Sequence, residues 1–292
     1  MKDIKKTIKS EYMKNNLTLS NRMKIYEAVT TEMNLVPNMP IYIRIDMRAG
    51  HSFCRGLDKP FDDDYSNAMK AATSYIVEKT NAMIGYCQSD EASFIWRESS
   101  KIPFETRLFK LQSVFASMFT SAFFNACLGT KLEAKMKKML PSFDCRACNL
   151  PSLDECVNML LWRERDCLKN AITLVALEHF SNKQIHKKNS EEKIEMLKSV
   201  GIDFSKDIDK DFRYGAWFRR IVFQKELNAE TIAKIPEKHR KFDENGKMLV
   251  IRSEVRQVKF GMPLSNMANK LAVVLGDEQP REKVTDRAFE DL

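Results

Sequence analysis

Between residues 41 and 150 the chain alternates between two hydrophobic periods, and their order predicts the architecture. Ile41, Ile43 and Ile45 repeat every second residue, which predicts a strand over 41–46. Met69, Ala72 and Ile76 fall at helical spacing within 63–80. Two short apolar runs, 83–87 and 92–96, flank Gln88-Ser89-Asp90-Glu91 and read as a hairpin. Leu108, Leu111, Phe115, Phe119 and Ala122 recur every three or four positions, predicting an amphipathic helix over 104–128. Residues 143–149 read as a further strand, closed by Pro151.

The resulting series is strand, helix, strand, strand, helix, strand, the split βαβ or ferredoxin-like arrangement. A strictly alternating order would instead predict a doubly wound sheet. The fold class is therefore α+β: a ferredoxin-like palm domain over 41–150. A helical segment precedes it over 1–40, with residues 1–16 frayed or disordered and Ser20 or Asn21 as helix cap. A helical and mixed part over 151–275 packs on the palm, with helices over 153–180 and 190–200. A charged, mobile tail runs from 276 to 292.

This order brings the first strand beside the hairpin, so the acidic residues at the strand ends converge. Asp46 ends the first strand, and Asp90 and Glu91 occupy the hairpin turn. Carboxylates so placed suit a pair of divalent cations, which stabilise the attacking and leaving oxygens of a phosphoryl displacement. Hard oxygen donors favour magnesium. After Asp46 the loop Met47-Arg48-Ala49-Gly50-His51 carries successive amides that can cradle a triphosphate. Gly50 lets the backbone approach a ligand closely. His51 and Ser89 are placed to contact the same nucleotide.

Composition narrows the partners. Lys and Arg number 48 against 40 Asp and Glu, a net charge of +8 over 292 residues, which favours an anionic partner. No apolar run reaches the roughly 20 residues that a membrane helix needs, and no signal peptide is recognisable. A cytoplasmic protein with reduced thiols is expected. Cys145 and Cys148, three apart on a strand, point to opposite faces and do not form a metal pair.

The segment Arg44-Ile45-Asp46-Met47-Arg48-Ala49-Gly50-His51-Ser52-Phe53 resembles the R-x-D-G-R-x-F-H-x-F motif of the tRNA-histidine guanylyltransferase family. Further resemblances follow in order. They are Arg22-Met23-Lys24 with Tyr26-Glu27, Lys59-Pro60-Phe61-Asp62, Gln88-Ser89-Asp90-Glu91, Phe143-Asp144 with Arg146, and Trp162-Arg163 with Asp166 and Asn170. The resemblance implies a nucleotidyltransferase acting on tRNA. Asp46, Asp90 and the Met47 carbonyl would hold two magnesium ions, and Glu91 would be a third catalytic carboxylate. ATP and GTP would be substrates, with Lys59, Arg107 and Lys110 on their phosphates. A homotetramer is implied as well.

Three departures stand out. Met47 replaces the family's glycine and sets a side chain beside the expected pocket, and Gly50 replaces its aromatic. Leu168-Lys169-Asn170-Ala171 lacks the leading histidine of the eukaryotic H-I-N-N segment. In this the chain resembles the bacterial and archaeal guanylyltransferase-like branch, template-dependent 3′–5′ polymerases that repair tRNA 5′ ends. Two other readings are compatible with strand-end carboxylates: a cyclic-dinucleotide synthase, although its G-G-D-E-F hairpin is missing, and a non-catalytic RNA-binding protein.

Overall fold

The computed structural model describes residues 18–98 and 102–283. Six strands form one sheet: β1 (Ile41–Met47), β2 (Ile84–Gln88), β3 (Glu91–Trp96), β4 (Phe143–Asn149), β5 (Ala216–Glu226) and β6 (Leu249–Val258). The helices before β4 are α1 (Leu19–Thr31), α2 (Gly50–Cys54), α3 (Asp63–Thr80), α4 (Leu108–Cys127) and α5 (Glu133–Met139). After β4 come α6 (Leu153–His179), α7 (Asn182–Ile185), α8 (Ser190–Ser199), α9 (Phe204–Asp207), α10 (Lys210–Tyr214), α11 (Ala229–Ala233) and α12 (Lys270–Leu275).

Strand order is β4-β1-β3-β2-β5-β6, with every neighbouring pair antiparallel. Its first four strands with α3 and α4 are the predicted ferredoxin-like palm. The period-2 pattern of β1 divides its residues between two cores. Ile41, Ile43, Ile45 and Met47 pack under α3 and α4, against Met69, Ala72, Ile76, Phe115, Phe119 and Phe123. Gly85 allows α3 to lie close, because a Cβ there would press on Val77 and Thr73. On the opposite face Tyr42, Ile84, Tyr86 and Ile95 meet Val157 and Leu160 of α6, and Leu264 and Val273 beyond β6.

Several boundaries differ from the sequence reading. The cap of α1 is Thr18, whose hydroxyl accepts the Asn21 N–H, so Ser20 and Asn21 lie inside the helix. α4 starts at Leu108 because Phe104, Glu105 and Thr106 all take positive φ and form a separate tight turn. The part after 151 does more than pack on the palm. β5 pairs with β2, Tyr86 opposite Trp217, and β6 then forms the free edge, so palm and C-terminal part share one sheet. The tail is anchored over its first residues: Ala268 N–H donates to Arg281 O and Lys283 N–H to Asn266 O. The remainder, from 284, and the expected frayed N-terminus over 1–16 lie outside the described residues. No described helix is long and apolar enough to cross a membrane.

Candidate active site

Register brings the acidic side chains together. Asp46, next to last in β1, lies opposite Glu91 of β3 on one side and Asp144 of β4 on the other. Directly opposed residues of antiparallel strands point to the same face, so three carboxyl-bearing positions line up across three strands. Asp90 joins them through the turn: its carbonyl accepts the Met47 N–H at 2.9 Å. Ser89 takes positive φ, as a two-residue turn matched to strand twist requires. Burial, and then the negative charges of Asp90, Glu91 and Asp144, push the Asp46 carboxyl above its ordinary pKa despite Arg44. A partly buried acidic corner of this kind favours a cation.

Asp144 is the residue that the sequence reading left out of the site. It belongs to the Phe143-Asp144 motif, and the antiparallel register of β1 and β4 sets it opposite Asp46.

Glu91, expected as a third catalytic carboxylate, is engaged within the protein. It is 4% exposed, and both of its oxygens accept from Arg163 of α6, Nε at 2.6 Å and Nη2 at 2.8 Å. The same Nη2 also donates to Asp166 at 2.8 Å. A bidentate guanidinium–carboxylate pair is directional, so Glu91 is turned toward α6 and away from solvent. It fixes the start of β3, and with it the turn that carries Asp90.

A cleft of about 490 Å³ opens beside Asp90. Gly50, His51, Lys59 and Ser89 line it, and Asn170 of α6 faces them. Gln88, buried and with its amide oxygen unpartnered, lines it too. The loop forming one wall is anchored by Asp62, which accepts the Tyr65 and Asp58 N–H groups and pairs with Lys131 at 3.0 Å. Burial opposes ionisation of Asp62, but these donors hold its carboxyl below the ordinary range.

The segment after β1 is more ordered than the expected loop. Arg48 N–H donates to Ser142 O, Ala49 takes the left-handed conformation, and α2 starts at Gly50. The Met47 side chain does not crowd the cleft. Strand alternation sends it into the core, where its sulfur accepts from the Tyr65 hydroxyl at 3.9 Å. Arg107 and Lys110 stand elsewhere. They lie at the start of α4, beside Met33 and Asn34, whereas Phe123 of the same helix packs on Phe53 and Tyr65 next to the cleft. The helical rise over that interval is roughly 20 Å, so within one chain they do not line the cleft. Cys145 packs toward the core while Cys148 is exposed, as alternation requires.

Among the described residues no three His, Cys, Asp or Glu side chains form a metal cluster of their own. Two carboxylates with a backbone oxygen still suit magnesium, which retains waters and takes its other ligands from substrate phosphates. The Asp46–Asp90 corner has that donor set: a partly buried carboxylate beside a second one, where burial first and the neighbouring charge next disfavour an uncompensated anion.

The β4-β1-β3-β2 core, with carboxylates at adjoining strand ends and a cleft beside them, defines a palm-type nucleotidyltransferase fold. Comparison with known proteins makes this specific, and the chain belongs to the tRNA(His) guanylyltransferase family. The family model described as tRNAHis guanylyltransferase matches residues 20–151. The tRNA(His) guanylyltransferase of Schizosaccharomyces pombe is 34% identical over 205 residues, covering 65% of this chain and 77% of that protein. A probable tRNA(His) guanylyltransferase of Drosophila melanogaster is 30% identical over 149 residues, 50% of this chain and 51% of that protein. The chain thus spans only about half the length of the Drosophila relative. A bacterial tRNA(His) guanylyltransferase-like protein solved in complex with ATP superposes with TM-score 0.63 at 32% identity, covering 69% of this chain and 88% of that one. Another such bacterial structure, in complex with GTP, gives TM-score 0.59 at 25% identity, covering 82% and 90%.

Proposed function

We propose that this chain is a magnesium-dependent nucleotidyltransferase that adds nucleotides to the 5′ end of tRNA in the 3′–5′ direction. It would serve tRNA 5′-end repair or tRNA-histidine maturation, as a cytoplasmic homotetramer. One observation carries the reading: the Asp46 and Asp90 carboxylates stand close enough to repel each other, and Asp90 lines a cleft of about 490 Å³, a volume within the range of small-molecule sites. The bacterial relatives solved with ATP and GTP support nucleotides as its occupants.

The chemistry takes two displacements. In the first, a 5′-monophosphate oxygen of the RNA attacks the α-phosphorus of ATP, pyrophosphate leaves, and the RNA end is adenylylated. In the second, the 3′-hydroxyl of an incoming nucleoside triphosphate such as GTP attacks the 5′-phosphorus and AMP leaves. Asp46 and Asp90, with the Met47 carbonyl, would hold magnesium, which neutralises developing charge on the phosphoryl oxygens when bound. Lys59 and His51 bind and orient the triphosphate from the cleft wall. Glu91 contributes by position, through Arg163. Positioning and charge neutralisation account for most of the catalysis in phosphoryl transfer of this kind.

Incubation with labelled GTP, ATP, magnesium and a 5′-truncated tRNA tests the reading. Extension of the 5′ end is the expected result. A cyclic dinucleotide product, or RNA binding without turnover, would replace the reading with one of its two rivals.

A further inference from the structure

The acidic corner has a second approach, on the side away from the nucleotide cleft. α6 packs on Tyr42 of β1, Ile84 and Tyr86 of β2 and Ile95 of β3, while β4 is the edge strand beyond them. Asp144, Arg146 and Cys148 of β4 are all exposed on the face that α6 shares. That face is fixed by register: Tyr42, opposite Cys148, packs on α6, and Arg44, opposite Arg146, sits one pair closer to Asp46. The result is a strip with Arg146 exposed and Arg44 mostly buried beneath it, which ends at Asp46 and at Asp144, the ion-pair partner of Arg146 at 3.5 Å.

On α6, one position before Arg163, stands Trp162. It is 52% exposed, whereas Trp96 and Trp217 are buried. Its ring lies 4.5 Å from the Arg163 guanidinium carbon, and that guanidinium is locked to Glu91. The indole is therefore held against a rigid support instead of swinging free. Arg44 adds an unmet demand. Its Nε is buried with no hydrogen-bond partner, and the Glu91 Oε2 stands 4.0 Å from it.

We propose that this strip receives the end of the RNA substrate, with a terminal base on Trp162 and backbone phosphates on Arg44 and Arg146. An exposed aromatic beside arginines is the pattern that binds nucleic-acid ends, because every base has a face to stack and every phosphate a charge to neutralise. The inference rests on the proposed function. It adds the direction of approach: nucleotide from the α3 side, RNA from the β4 side, and the carboxylates between them.

Trp162 is the one exposed tryptophan of the three, so RNA binding can be read from intrinsic fluorescence. Titration of the full chain with a 5′-truncated tRNA should quench the exposed emission. Trp162→Ala should remove that quench and weaken RNA binding roughly tenfold, and Trp162→Phe should restore most of the affinity. ATP affinity and thermal midpoint serve as controls. Arg146→Ala, a second exposed change, should lower the slope of log affinity against log salt by about one. Unchanged RNA affinity in both alanine variants would overturn the strip while leaving the proposed function standing. So would loss of self-association by Trp162→Ala in sedimentation with RNA affinity intact, which assigns the surface to a second copy of the chain. Failure of the wild-type chain to bind RNA would remove both proposals.

Discussion

Gly50 and Asp90 compete for one volume: a Cβ on Gly50 would overlap the Oδ2 of Asp90. The Asp90 carboxylate can rest over the start of α2 because position 50 has no side chain. Gly50→Ala is therefore expected to displace Asp90 by about an ångström and lower nucleotide addition on the order of a hundredfold. Asp46→Ala and Asp90→Ala should abolish it. Circular dichroism should show all three variants folded, and appreciable turnover by either aspartate variant would end the metal assignment.

The Glu91–Arg163 pair predicts a stability effect separable from catalysis. Removing one partner leaves a buried charge uncompensated, at a cost of about 3–5 kcal/mol. Arg163→Met alone should show this loss in urea denaturation. The double variant Glu91→Leu with Arg163→Met should recover most of it, because neither charge remains. If the two single losses simply add, the pair is not the clamp described here.

Glu164 predicts a pH dependence. Burial pushes its carboxyl up to about 7, against the N–H groups of Leu264 and Ser265 and the Arg165 charge. One of its oxygens has no partner. Since the folded-state value lies above the ordinary 4.5, the folded protein holds this proton more tightly than the unfolded chain does. Its contribution to stability is fully present below about pH 4.5 and is lost as pH rises through 7. Relative to Glu164→Gln, which does not titrate, the wild-type melting temperature should fall between pH 5 and pH 8. Parallel curves for the two proteins would refute the assignment.

Lys59 and the pair Arg107 and Lys110 separate two basic regions. Lys59→Ala should weaken ATP binding by roughly tenfold, as loss of a charge-assisted bond does. Arg107→Ala and Lys110→Ala should leave ATP affinity of the isolated chain unchanged, since these residues stand about a helix length from the cleft. Calorimetric titration decides between them, and an equal loss in all three would place the nucleotide elsewhere.

The palm was legible because its strands and helices each bury one face. Ile41, Ile43 and Ile45 announce β1, and Phe115, Phe119 and Phe123 announce α4. β5 and β6 were not legible for the converse reason. Beyond Phe218 the hairpin has little buried face, with Val222 and Ile251 exposed, so no alternation marks it. At the site, the proximity of Asp46 and Asp90 followed from element order. The engagement of Glu91 did not, because its partner Arg163 comes from a helix whose placement local pattern does not encode. Asp144 needed the register, and Arg107 and Lys110 needed the direction in which α4 runs.

Because β5 zips onto β2 and α6 lies across the opposite strands, the chemistry cannot be cut free at the apparent boundary near residue 150. A fragment stopping there would keep Asp46, Asp90 and Asp144 but leave Glu91 without its bidentate partner Arg163 and strip Tyr86 and Ile84 of their cover. Minimal versions of this fold must retain the second half of the chain as an integral part of its catalytic framework.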